Sequence, residues 1–130
     1  MVPREQPLTP EREDEPMSIE RHGVGPRLSQ GVKHGNTIYL AGQIDDSSSS
    51  VKGQTEAILK KIDAVLHHYG SNKSKLLSAT VYIADMSTFD EMNAAWDAWV
   101  DKANPPARAT VETRLARPQF KVEIMAIASA

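Results

Sequence analysis

Cysteine is absent from the 130 residues, which removes any disulfide framework, any thiol nucleophile and any thiolate metal site. That absence fits a reducing, cytoplasmic setting. No apolar run approaches the roughly eighteen residues that a membrane-spanning helix requires, and the N-terminal stretch lacks the apolar core of a secretory signal, so neither membrane insertion nor export is expected. Charge of one sign is scarce as well. The formal net charge is -2, and residues 1–16 hold two Arg against five acids, a balance of -3, so the remainder carries about +1. A nearly neutral body lacks the field that draws a protein to nucleic acid or to an anionic membrane. Also missing are a glycine-rich phosphate loop, a Ser-His-Asp arrangement and a His-Glu metal motif. Of the four His, the adjacent His67 and His68 diverge on a helix, so no metal site is expected.

What is present is enough for one core. At 40% apolar content the length favours a single domain. Residues 1–16, MVPREQPLTPEREDEP, combine four prolines and five acids with two sizeable aliphatics. Such a stretch cannot offset its ordering entropy, and it reads as a disordered tail ahead of a domain spanning 17–130, with Met17 as an alternative start. A partner-binding acidic tail is the functional alternative.

Gly35-Asn36 between Gln30–His34 and the β-rich Thr37–Ala41 predicts a tight hairpin. Ser50 caps a predicted helix over about 51–69, where Ile58, Ile62, Val65 and Tyr69 recur at helical spacing and Gly70 closes it. Leu77, Ala79, Val81 and Ile83 alternate with Ser78, Thr80 and Tyr82, which predicts a strand. Ser87 with Asp90 resembles a capping box for a second helix to about Val100, carrying Phe89, Met92, Trp96 and Trp99 on one face, and Asn104-Pro105-Pro106 stops it. Two closing strands follow. In the last, Phe120, Val122, Ile124, Ala126 and Ala128 line one face, while Met125 and Ile127 beyond Glu123 make the second face apolar too. The order predicts an α+β sheet with both helices on one face. A chain of this size has no second layer for the other face, so self-association is expected.

Two residues stand out chemically. Arg108 follows Pro-Pro-Ala at a strand start, where its planar fork suits a carboxylate or phosphate; an exposed Arg, or one paired with Glu112, is the bland alternative. Glu123 sits beside Met125 and Ile127, a setting suited to handling water or a proton, with a structural ion pair as the alternative. Gly42-Gln43 either presents backbone N–H groups to a ligand or is a plain strand exit. Asn93 lies next to the apolar stripe of the second helix.

Gly25-Pro26, Gln30-Gly31-Val32, Gly35-Asn36-Thr37, Ala41-Gly42-Gln43-Ile44, Pro106-Ala107-Arg108-Ala109-Thr110-Val111-Glu112 and Lys121-Val122-Glu123-Ile124 occur in that order. This string resembles the RidA family, also called YjgF, over essentially the whole of 17–130. The resemblance implies a chorismate-mutase-like fold, a mixed sheet with two helices on one face, assembled as a homotrimer with a small-molecule cleft between neighbouring subunits. It also implies cofactor-free hydrolysis of reactive 2-imino acids, of the 2-aminoacrylate type, to 2-keto acids and ammonium. Arg108 would bind the substrate carboxylate. Glu123, with the backbone carbonyl of Thr110, would place the attacking water, Gly42, Gln43 and Ile44 would shape the cleft, and Asn93 would border it. Where archetypal members carry Tyr, Ser and a Ser-Cys pair, this chain has Arg27, Ala41 and Ala109-Thr110. Arg27 in the cleft would favour an imino acid with an additional acidic group. A non-catalytic binding module and an RNA-cleaving or translation-inhibiting role are the competing readings.

Overall fold

The structure, a computed structural model, describes residues 18–130; the tail expected over 1–16 lies outside the described residues. Three antiparallel strands come first: β1 (Ile19–His22), β2 (Gly31–His34) and β3 (Thr37–Gln43). Gly35 turns the β2–β3 hairpin with φ of 61°, a conformation that costs a side chain steric energy and costs glycine almost none. Helix α1 (Val51–His68) follows, with the Ser50 hydroxyl accepting from the Gly53 amide as its N-cap. Then come β4 (Leu76–Ile83), α2 (Phe89–Trp99), β5 (Ala107–Glu112) and β6 (Val122–Ser129).

The strand order is β1-β2-β3-β6-β4-β5. Every neighbouring pair is antiparallel except β4 and β5, which run parallel because α2 carries the chain back to the starting end. Ile38, Leu40, Val81, Ile83, Ile124 and Ala126 from the sheet pack with Ile58, Leu59, Ile62 and Leu66 of α1 and with Met92 and Trp96 of α2. Both helices thus cover one face of a mixed sheet. At the other end of α1, His22 stacks on His68 with ring centres 3.7 Å apart, and the Tyr69 hydroxyl donates at 3.2 Å to the carbonyls of Glu20 and Gly31, fastening β1 and β2.

Two local expectations are corrected. Leu77 does not join the buried row of β4: a bulge lies between Leu76 and Ser78, so Leu76 packs inward and Leu77 is exposed. No Ser87–Asp90 capping box opens α2 either. Asp85 caps a short turn over Met86–Thr88 by accepting from the Ser87 amide, and α2 begins at Phe89 with no side-chain cap at Thr88. The acceptor moved upstream because Asp85 is the first polar side chain after β4.

Among the described residues, the face of the sheet away from the helices is bare. Register places Tyr39 opposite Ile127, Thr80 opposite Met125, and Val111 beside Tyr82. Tyr39 is 46%, Val111 42% and Met125 39% exposed. Among the described residues, no helix is long and apolar enough to cross a membrane.

Candidate functional site

Arg108 projects from β5, an edge strand, on the face that carries the helices, since it pairs with Ala79, which pairs with the buried Ala126. Phe89, Asn93 and Trp96 of α2, at i, i+4 and i+7, meet it there. Its Nη1 donates to Asn93 Oδ1 at 2.8 Å, and its guanidinium carbon lies 5.0 Å from the Trp96 ring centre and 6.0 Å from that of Phe89. Burial among these groups pushes the Arg108 pKa down, with Asp97 opposing the shift. Glu112 is not its partner, because that carboxylate accepts from the Met86 amide at 2.8 Å. Thr110 lies two residues on along the same face, half-buried, with a buried hydroxyl that has no hydrogen-bond partner among the described residues.

Glu123 projects from the central strand β6 on the opposite, bare face, opposite Tyr82. It lies against Gly42 at the bulge where β3 passes from Leu40 to Gln43. A Cβ added at Gly42 would run into Glu123 Oε2 and stand 2.9 Å from Cδ. A side chain here would therefore have to push the Glu123 carboxylate aside, while the backbone itself makes no demand for glycine, since its φ is not among the positive ones. Gln43 is buried and donates at 3.0 Å to Gln30 Oε1 and to the Ala41 carbonyl. Its neighbour Ile44 is half-buried, its carbonyl accepting from Lys61 Nζ at 2.7 Å.

The structure thus sorts the sequence candidates into two groups. Arg108, Asn93 and Thr110 gather on the helical face at the β5 edge; Glu123, Gly42, Gln43 and Ile44 gather around the β3–β6 bulge. An Arg108–Glu123 cleft within one chain is not formed, because residues 108 and 123 fall in rows of opposite parity across the paired strands. Arg27 joins neither group directly. It is exposed in a shallow groove with Gly25, Leu28 and Gln30, and the bond from Gln43 to Gln30 ties that loop to the Glu123 group. Phe89 and Trp96, read from sequence as core, also flank Arg108; their spacing from Asn93 was the available signal. Among the described residues no cluster of three or more His, Asp or Glu side chains could hold a metal ion.

Chemically, the first group offers a half-buried cation with N–H groups to spare, which suits a carboxylate. The second offers a half-buried carboxylate beside Gly42, which suits a water or a proton.

A family model described as Endoribonuclease L-PSP matches residues 21–130. A RutC family protein of Haemophilus influenzae is 44% identical over 115 residues, covering 87% of this chain and 99% of that one. RutC family protein YoaB of Escherichia coli is 43% identical over 113 residues, with the same coverage of 87% and 99%. The crystal structure of a YjgF family member from Neisseria meningitidis superposes with a TM-score of 0.86 at 41% identity, covering 88% of this chain and 96% of that one.

Proposed function

The chain belongs to the RidA (YjgF) family, and from that premise we propose that it hydrolyses reactive 2-imino acids to 2-keto acids and ammonium in clefts between the subunits of a homotrimer. The observation that carries this reading is the placement of Arg108 and Glu123 on opposite faces of one sheet, with bare apolar surface around the second. A neighbouring copy that covers the bare face brings its β5 edge, and with it Arg108, to the Glu123 of the first.

In such a cleft Arg108 holds the substrate carboxylate and so fixes the C=N carbon. Glu123 and the Thr110 backbone carbonyl orient a water for attack on that carbon. The water proton passes to nitrogen, and the tetrahedral adduct collapses to the keto acid as the C–N bond breaks and ammonia leaves, protonated to ammonium. Each step uses groups of this chain and water. Arg27 enters the same cleft from the loop tied to Gln43 and favours substrates with a second acidic group.

Imino acids generated in situ by an amino-acid oxidase and trapped with semicarbazide provide the assay. The protein is expected to suppress trapping, and Arg108→Ala to cut that suppression on the order of a hundredfold. Mixing Arg108→Ala with Glu123→Ala subunits is expected to restore part of the activity, because some clefts then receive both intact residues; no recovery in a mixture shown to exchange subunits overturns the shared cleft. An Arg27→Ala variant with unchanged preference between acidic and neutral imines removes the specificity reading. Binding of a keto acid without turnover favours a binding module instead. The family model's description names an endoribonuclease, and cleavage of RNA at low salt would favour that reading over this one.

A further inference from the structure

The geometry points to the Phe89–Asn93–Trp96 face of α2 as the device that positions Arg108 for carboxylate binding, an inference that rests on the proposed reading of the site. Arg108 stands on an edge strand with no other described strand on its outer side, and the side chains that meet it come from α2. Trp96 is 6% exposed and packs on Trp99, ring centres 5.6 Å apart. The Trp99 indole N–H in turn donates at 2.9 Å to Asp63 Oδ2 on α1. The ring beneath the guanidinium is therefore fixed to both helices before any ligand arrives.

A guanidinium over a fixed indole loses much of its freedom in advance, and the cation–π attraction strengthens as water is excluded. Asn93 then selects which edge faces outward. With Nη1 committed to Asn93 Oδ1, the Nε–Nη2 edge is left to meet a carboxylate with two parallel hydrogen bonds. Phe89, whose ring centre lies 6.0 Å from the guanidinium carbon, completes the aromatic surround. Phe89, Asn93 and Trp96 are positioning residues, acting through Arg108 rather than on substrate.

The test measures affinity for a short 2-keto acid, 2-oxobutanoate, by calorimetry on the full chain, with thermal melts as the folding check. Trp96→Leu is expected to weaken binding about five- to tenfold, and Trp96→Phe, which restores an aromatic face, to return within about threefold of the parent. Asn93→Ala is expected to weaken it about threefold or more, by freeing Nη1. In turnover the losses fall on KM rather than on kcat. If Trp96→Leu does not fold, Asn93→Ala, at a half-buried position, carries the test. Folded Trp96→Leu and Asn93→Ala proteins that bind like the parent overturn the inference, as does a Trp96→Phe protein as weak as Trp96→Leu. Binding that depends on Arg108 but on neither helper removes this inference alone. Parent protein without affinity for the keto acid, or affinity indifferent to Arg108→Ala, overturns the carboxylate role of Arg108 and this inference with it.

Discussion

A methyl at Gly42 would take the place the Glu123 carboxylate now occupies. Gly42→Ala is expected to displace the carboxylate or spread the β3–β6 bulge, lowering imine hydrolysis at least about tenfold while the chain still folds; full activity in the alanine variant would show that the Glu123 position is unimportant. Asp45 makes a different kind of prediction. The Ser47 hydroxyl and amide both donate to it, and Lys61 Nζ lies 3.1 Å away, which together lower its pKa from 3.8 to about 2. Because the folded value is depressed, the stabilisation is complete above about pH 3.8 and disappears as pH falls toward 2. Acid unfolding of Asp45→Asn beside the parent should therefore show a stability gap at pH 5 that closes by about pH 2.

The elements show what local sequence can and cannot specify. The hairpin at Gly35-Asn36, the Ser50 cap and the apolar stripe of α1 were legible because each rests on contacts within a few residues. The Leu77 bulge was not, since it depends on how β4 meets β6, a strand some forty-five residues away. Gln54 shows the same limit: it was invisible as a polar residue in a helix, yet it is buried and holds the approach to β6. Its amide donates to the carbonyls of Ser48 and Gln119 at 3.0 and 2.9 Å, and its Oε1 accepts from the Lys121 amide at 2.9 Å. Gln54→Leu strands these buried groups, and chemical denaturation is expected to register a loss of about 2–3 kcal/mol.

At the scale of the whole molecule, the pattern of β6 pointed to apolar side chains on the second face of the sheet, and Tyr39, Val111 and Met125 are exposed there; self-association belongs to the proposed function. The two residues on which the proposed reaction rests could be singled out in the sequence, because Arg108 opens a strand after two prolines and Glu123 interrupts an apolar one. Their relation could not: alternation tells which residues of one strand share a face, but nothing local tells how β5 and β6 are matched through β4. The proposed assembly predicts that Met125→Glu, a charge placed on the bare face, yields monomers in sedimentation velocity and abolishes imine hydrolysis, while circular dichroism keeps the parent's helix and strand content.

The position of β6 also bears on biosynthesis. It follows the other described strands in the chain, yet it lies between β3 and β4, so the hairpin half of the sheet and the β4–β5 half have no hydrogen-bonded seam until it emerges. Translation therefore delivers two unfinished halves and then the eight residues, Val122–Ser129, that join them. A nascent chain stalled before Val122 is expected to remain open to protease throughout. One stalled beyond Ser129, with the ribosomal tunnel cleared, is expected to become resistant in a single step, with Glu123 put in place as the sheet closes.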